Sequence, residues 1–284
     1  NVNAFGVRSR DDGRFFFILR REHNSIIGTT DTDYHGPLDS PFCEKEDCDY
    51  LFNTVNWYFP EANLTYKDII STYAGIRPLI LEEGKHESKV SRKHEILELE
   101  NGMITLAGGK LTIYRLMGED LLFHMTKKGY LPKFKGKQGK KGYSKIPFKV
   151  GITKEEFDKR LNELGLEGVG IGEQNEYFHR QYGTQGLKIL QMIKKQPEKG
   201  KALLEGYPYC QAEIEFILEH ECAMKLSDVM LRRTEIQLHV WHYKQKEIAE
   251  KIASIMASYH GWSADKTNAE INEYMDYIKK TIWF

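Results

Sequence analysis

The chain has 284 residues, of which 40% are hydrophobic and 29% charged, and its formal net charge at pH 7 is zero. This length is sufficient for two globular domains, and the balanced charge gives no argument for nucleic-acid binding. No apolar run reaches the roughly 18 residues that a membrane-spanning helix requires, and the first residues lack the charged and apolar regions of a signal peptide. We therefore predict a cytoplasmic protein, which can still bind the surface of a membrane.

The sequence contains four cysteines, too few and too scattered for a disulfide framework. We predict that they are reduced and structural. A zinc site made of Cys210, His220 and Cys222 is disfavoured, because residues two apart point to different sides of a helix and no CxxC or HxxxH spacing is present. No metal site is predicted.

In the first half of the chain, two β-rich runs around a polar turn predict a hairpin over residues 14–31. Helical spacing of apolar residues predicts a helix over residues 44–59, which Pro60 ends. Residues 68–76 are rich in Ile, Thr and Tyr, and this composition predicts a strand that leads into Arg77.

Asn101-Gly102 is the strongest hairpin signal, because an Asn-Gly pair readily adopts the positive φ angles of a type I′ turn. It joins predicted strands over residues 95–99 and 103–106. Gly108-Gly109 and a helix from about Lys110 to Thr126 follow. Such a turn brings backbone N–H groups and the positive end of a helix close to a ligand. An ordinary strand-to-helix turn with an exposed lysine is the alternative.

A linker separates the two halves. Residues 127–149 contain nine lysines and no acidic residue, with four interspersed glycines. This composition is too polar and flexible to build a core. It predicts either a solvated tether or a basic segment that binds an anionic membrane surface.

Beyond the linker, Thr153 and Glu156 have the spacing of a capping box, and apolar residues recur at helical intervals over residues 248–259 and 271–278. These patterns predict an all-helical domain. The run Gly168–Gly172 contains a G-x-G, but Glu173 takes the place of the third glycine of a dinucleotide-binding fingerprint and no long strand precedes it. We interpret this run as a loop between helices.

Arg77 and Arg92 are candidates for binding a phosphate group. A guanidinium binds phosphate through paired N–H donors, so two arginines and Lys110 in one pocket would suit a small phosphorylated substrate. A surface salt bridge is the alternative for each arginine, because sequence spacing does not show convergence.

Several motifs, weak alone but specific together, occur in the order and spacing typical of one family. By these motifs the chain resembles the FAD-dependent, aerobic glycerol-3-phosphate dehydrogenases. The family's N-terminal unit, with its G-x-G-x-x-G turn, is not in the sequence, so we interpret the chain as the C-terminal part of such an enzyme. The motifs are Gly28–Asp31, Ala74–Leu79, Glu82–Lys85, Ser91–Lys93 and Ala107–Thr112, followed in the helical half by Glu213, His220-Glu221 and Asp228–Thr234.

The resemblance implies oxidation of sn-glycerol 3-phosphate to dihydroxyacetone phosphate, with hydride transfer from C2 to FAD and electron transfer to quinone. It implies that Arg77 is catalytic and binds the substrate with Arg92 and Lys110. The implied cofactor-binding residues are Gly108, Gly109, Lys110, Leu111 and Thr112.

Two other functions fit the same residues. One is a glycerol-3-phosphate oxidase that uses oxygen, and the other is a non-catalytic module that binds a phosphorylated metabolite. We expect the isolated chain to be inactive and to lack FAD, because it does not contain the glycine-rich turn that binds the pyrophosphate of FAD. A homodimer and contact with a membrane quinone are compatible with the resemblance.

The elements and the resemblance together predict an α+β fold in three parts. Residues 1–128 form the remaining, β-rich part of a substrate domain. This part ends in a strand-helix unit that faces the flavin. Residues 129–150 form the Lys/Gly-rich linker, and residues 151–284 form an all-α C-terminal cap domain.

Overall fold

A computed structural model describes residues 4–77, 93–132 and 151–282 of the chain. Its contacts group the chain into two compact units: Asn1–Gly75 together with Ile152–Phe284, and Ile76–Gly151. The predicted mixture of strands with a helical C-terminal region is confirmed. The predicted linker lies mostly outside the described residues, and the division of the sequence at 128 and 150 stays a prediction.

The first unit begins with a three-stranded antiparallel sheet in the order β1-β2-β3. Its side chains alternate in the way that a half-buried strand requires, since Phe16 is 1% exposed while its neighbours Phe15 and Phe17 are about half exposed. The predicted hairpin over residues 14–31 is confirmed. The strands are β1 (Phe5–Arg8), β2 (Phe15–Arg21) and β3 (Asn24–Gly28).

Helix α1 (Lys45–Tyr58) confirms the helix predicted over residues 44–59. Glu44 and Asp47 form a capping box at its start, in which each side chain accepts a hydrogen bond from the other residue's backbone. Val55 of this helix packs with buried residues of β1 and β2, and these side chains form a small core beneath the sheet.

The strand predicted over residues 68–76 is wrong. A 3₁₀ turn occupies Tyr66–Asp68, and no regular element follows it up to Arg77. The reason is that the polar groups here bond to the helical region instead of to a neighbouring strand. The Thr72 carbonyl accepts a hydrogen bond from Gln237 Nε2 (3.1 Å), and the Thr72 hydroxyl donates to the Thr281 carbonyl (2.8 Å).

The helical region of the first unit has a single large apolar core. Thr153 caps its first helix by accepting a hydrogen bond from the Glu156 N–H (3.3 Å), as the sequence predicts. The run Gly168–Gly172 lies in the loop between the first two helices of this region, which confirms its interpretation as a loop. The helices are α3 (Lys154–Glu163), α4 (Gln174–Tyr182), α5 (Gly186–Lys195), α6 (Gln211–His220), α7 (Ile236–His239), α8 (Gln245–His260) and α9 (Ala264–Thr281).

The turn between β2 and β3 contacts the helical region through polar side chains. Arg21 Nη2 lies 2.6 Å from Glu235 Oε2, and Glu22 forms an ion pair with Arg180. The Asn24 side-chain amide is 3.3 Å from Nδ1 of the largely buried His239. These contacts fix the hairpin against the helices within the first unit.

We expect Arg21→Ala to lower the free energy of unfolding by about 0.5–1 kcal/mol, because this ion pair is partly exposed and therefore screened by water. The loss should shrink in high salt. Denaturant titration measures the change, and Arg20→Ala is the matched control, since Arg20 bonds to the nearby Glu22 carbonyl. An Arg21 effect no larger than that of Arg20 would contradict the assignment.

The second unit contains a two-stranded antiparallel sheet, β4 (His94–Glu98) and β5 (Ile104–Gly108), and helix α2 (Tyr114–Lys127). The predicted hairpin is confirmed, but its predicted turn type is wrong. Gly102 has a positive φ of 82°, whereas Asn101 does not. The Leu99 N–H instead bonds to the Met103 carbonyl (2.9 Å), which makes a three-residue loop with glycine in the left-handed position.

Candidate functional site

The turn between β5 and α2 holds all five predicted cofactor-binding residues. Gly108 and Gly109 have φ angles of +71° and +87°, in the left-handed region that other residues rarely adopt. Lys110 returns to extended backbone (φ −132°) and precedes the 3₁₀ turn Leu111–Ile113, which runs directly into α2. The two glycines thus supply the backbone conformations that connect the strand to the helix.

The side chains that follow the glycines are exposed. Leu111 is 88% exposed, an unusual value for a large apolar residue, and Lys110 and Thr112 flank it at the surface. The first N–H groups of a helix have no partner within the helix. A positive charge, backbone donors and an apolar side chain therefore occur together here, and these features suit a planar ligand that carries negative charge.

Three residues that the sequence did not single out, His94, Met117 and Asp120, hold this turn in place. A Cβ atom on Gly109 would lie 2.6 Å from Met117 Sδ and 3.2 Å from His94 Cβ, so the backbone packs closely against both side chains. His94 pairs with Gly108 across the sheet, and its Nε2 is 2.9 Å from Asp120 Oδ2 on α2. Met117 and Asp120 lie three residues apart on one helix face, a spacing that could have indicated their joint role.

We expect Gly109→Ala to destabilise the second unit by about 2 kcal/mol, because it combines a disfavoured φ with a clash against Met117. Denaturant titration measures the loss. Gly102→Ala is the control: its φ is also positive, but nothing lies within 4 Å of its Cβ position, so only about 1 kcal/mol should be lost. Equal losses for the two variants would show that the close packing does not matter.

The structure describes only one of the two arginines that are predicted to bind phosphate. Arg77 is exposed and lies at the end of the irregular segment that follows Asp68. Arg92 lies outside the described residues. The motif Gly28–Asp31 belongs to the first unit, where the Asp31 carbonyl accepts a hydrogen bond from Arg14 Nη1.

Two family models match the chain in sequence. A family described as FAD dependent oxidoreductase matches residues 1–115, and one described as the C-terminal domain of alpha-glycerophosphate oxidase matches residues 152–267. The matches together include the Gly-Gly turn and the helical region up to residue 267.

Named relatives agree with these matches. Two proteins named aerobic glycerol-3-phosphate dehydrogenase, from Staphylococcus aureus strains RF122 / ET3-1 and MRSA252, are each 34% identical to the chain. The alignment is 281 residues long and covers 95% of the chain. The X-ray structure of a glycerol-3-phosphate dehydrogenase from Bacillus halodurans, complexed with FAD, superposes on 99% of the chain with a TM-score of 0.76 and 26% identity. The chain is therefore similar to glycerol-3-phosphate dehydrogenases in both sequence and fold.

The chain spans about half the length of these dehydrogenases, namely 48% of the Staphylococcus proteins and 54% of the Bacillus chain. Residues 4–77, 93–132 and 151–282 contain no helix with the length and apolar character to span a bilayer. The same residues hold no cluster of three or more histidine, cysteine or acidic side chains suited to a metal ion.

The helical region of the chain contains a fully buried carboxyl group. Glu213 Oε1 accepts hydrogen bonds from the hydroxyls of Tyr177 (2.7 Å) and Tyr182 (2.6 Å). Its Oε2 is buried without a hydrogen-bond partner in the described part of the chain. Burial raises the pKa of Glu213 to about 7, although the two hydroxyls favour the ionised form. Glu213 therefore takes up a proton near neutral pH, inside the core.

Proposed function

We propose that the chain is part of a flavoenzyme that oxidises sn-glycerol 3-phosphate to dihydroxyacetone phosphate and passes the electrons to quinone. The observation that carries this proposal is the 34% identity to aerobic glycerol-3-phosphate dehydrogenases along 95% of the chain. The FAD complex of the similar Bacillus structure supports the choice of cofactor. The family names favour this function over the non-catalytic binding module.

We assign Gly108, Gly109, Lys110, Leu111 and Thr112 to cofactor binding, because the exposed turn after β5 offers backbone donors, a positive charge and an apolar side chain that would suit a flavin ring. Bound FAD supplies the acceptor for the hydride from C2 of the substrate, and its ring gains negative charge on reduction. The Lys110 ammonium and the N–H groups at the helix start stabilise that charge. Leu111 offers an apolar surface for the ring, and its exposure supports this role.

The phosphate of the substrate is bound by Arg77 and Arg92 in this proposal, with Lys110 close to the substrate. Arg77 has an exposed side chain at the end of a segment without regular structure. Paired N–H donors suit the phosphate oxygens, and the fixed substrate then presents its C2 for oxidation. Arg77 is catalytic in this sense of contacting and orienting the substrate.

We expect Lys110→Met to lower kcat by about tenfold while FAD stays bound, because one charge that stabilises the reduced ring is lost. The midpoint potential of the bound flavin should fall as well. Lys246→Met, an exposed lysine on α8, is the matched control and should keep both values. An unchanged potential in Lys110→Met would contradict the flavin assignment.

Steady-state kinetics of the full-length protein test the proposed reaction. Oxidation of sn-glycerol 3-phosphate should reduce a soluble quinone analogue, while the sn-glycerol 1-phosphate enantiomer should be a poor substrate. Hydrogen peroxide formed in proportion to product would favour the oxidase, and a protein that binds glycerol 3-phosphate without flavin or turnover would favour the binding module.

Electron transfer to a membrane quinone implies that the protein reaches a membrane surface from the cytoplasm. We assign this contact to the lysine-rich segment, of which residues 133–150 lie outside the described residues. Nine lysines within residues 127–149 support this assignment, since each can contribute on the order of 1 kcal/mol near anionic lipids. Binding of the full-length protein to anionic vesicles should weaken with salt and on replacing these lysines by glutamine. Vesicle binding that does not change with salt or with these substitutions would contradict the assignment.

A further inference from the structure

Cys43 and Cys48 lie side by side at the start of α1. Cys43 is two residues before the first residue of the helix, Lys45, and Cys48 lies within its first turns. Their Sγ atoms are 3.6 Å apart, close enough for a hydrogen bond between the thiols. Cys48 is 4% exposed and Cys43 is half-buried, so the pair is reached from the surface on the Cys43 side.

The pKa values of the two thiols are shifted in opposite directions. The hydrogen bond from the Cys43 thiol lowers the pKa of Cys48 and raises that of Cys43. Lys45 also favours the Cys48 thiolate, whereas burial and the carboxylates of Asp47 and Asp49 oppose it. Cys48 lies in the first turn of α1, where the positive end of the helix favours a thiolate, and the thiolate is the reactive form. Cys48 is therefore the nucleophile of the pair, and Cys43, with its Sγ 3.6 Å away, lies in position to react next.

We propose that Cys43 and Cys48 form a dithiol that hydrogen peroxide oxidises to an intramolecular disulfide. A small oxidant is required, because the pair is largely buried and a protein or glutathione disulfide would not reach Cys48. The two thiols together lose two electrons and two protons, and the peroxide becomes two molecules of water.

The oxidation takes two steps. The Cys48 thiolate attacks one peroxide oxygen, the O–O bond breaks, and a sulfenic acid forms while the departing hydroxide takes up a proton. The Cys43 sulfur then attacks the Cys48 sulfur, the S–O bond breaks, and the hydroxyl leaves as water with the Cys43 proton. The sulfur atoms must approach by about 1.6 Å to reach disulfide distance.

The disulfide would change a contact between the segment before α1 and the helical region. Cys43 lies beside Thr72, whose hydroxyl donates to the Thr281 carbonyl at the end of α9. The ring of the preceding residue, Phe42, lies 5.2 Å from Lys280 Nζ. Drawing Cys43 toward the helix thus moves a residue that contacts α9 through Thr72.

Peptide mapping of the full-length protein tests the proposal. Trypsin cuts after Arg21, Lys45 and Lys67, so Cys43 and Cys48 fall in separate peptides, 22–45 and 46–67, each with no other cysteine. After peroxide treatment and alkylation, these two peptides should appear linked, with a mass lower by two hydrogen atoms than their sum. At half-completion, buried Cys210 and exposed Cys222 should be at least about tenfold less oxidised.

Variants of each cysteine test the order of the steps. In Cys43→Ser the sulfenic acid of Cys48 should persist and react with a dione probe, and in Cys48→Ser the labelling of Cys43 should be about tenfold weaker. Cys222→Ser is the matched control and should leave the linkage unchanged. Unlinked peptides in the wild-type protein, or linkage of either one to Cys222 instead, would overturn the proposal even if Cys48→Ser failed to fold.

Discussion

Glu213→Gln is expected to remove about 3 kcal/mol of pH dependence from the free energy of unfolding between about pH 5 and about pH 8. Burial raises the pKa of Glu213 from 4.5 to about 7, so the folded chain holds a proton that the unfolded chain has released. The wild-type protein should therefore be stabilised by this proton at low pH. The stabilisation is fully present below the unfolded pKa, near 4.5, and is lost as pH rises through about 7.

Glutamine keeps the size of the side chain and one oxygen that can accept the hydroxyls of Tyr177 and Tyr182, but it does not titrate. Denaturant titrations at the two pH values measure the effect as a difference between wild type and variant, so that other titrating groups cancel. Glu219→Gln, an exposed carboxyl on the same helix, is the matched control. Parallel pH profiles for wild type and Glu213→Gln would show that the buried carboxyl does not hold a proton.

Arg77→Ala is expected to lower kcat/KM for glycerol 3-phosphate by about 30- to 100-fold, mostly through KM. A hydrogen bond to a charged group contributes about 1.5–3 kcal/mol, and the expected 30- to 100-fold loss corresponds to one such bond between the guanidinium and the phosphate. Arg77→Lys keeps the charge but loses the paired donors, so it should recover only part of the loss. Steady-state kinetics of the full-length protein measure both variants.

Arg160→Ala is the control for the Arg77 variants. Arg160 is an exposed arginine paired with Glu156 (2.8 Å) on α3, outside the proposed site, and its loss should leave kcat/KM unchanged. Bound flavin should be retained in all three variants. An Arg77→Ala enzyme with wild-type kinetics would exclude Arg77 from substrate binding and leave the phosphate to Arg92 and Lys110.

Local patterns predicted those elements in which one physical signal dominates. The alternation around Phe16 and the apolar stripe through Ile248, Ile252 and Met256 each mark a buried face, and these side chains are buried in the structure. Residues 68–76 were predicted incorrectly, because their β-prone composition carries no information about a partner. There Thr72 bonds to Gln237 and Thr281, residues distant in sequence.

In the candidate site, too, the sequence predicted some features and missed others. The Gly108-Gly109 turn could be predicted, since a strand, two glycines and a helix start follow one another in sequence. The buried carboxyl of Glu213 was identified only as part of a family motif, although the apolar residues Phe216 and Ile217 share its helix face and could have indicated burial. The contact of Cys43 with Cys48 was missed, because their five-residue separation does not place them on one helix face and the chain bends at Glu44 before the helix begins.

The flavin spectrum of the full-length protein under anaerobic conditions tests the central claim most directly. We expect the absorption of bound FAD to bleach on addition of sn-glycerol 3-phosphate and to stay unchanged with sn-glycerol 1-phosphate. We expect bleaching in Arg77→Ala to require a much higher substrate concentration. A protein that carries no flavin, or whose flavin does not respond to glycerol 3-phosphate, would contradict the proposed function.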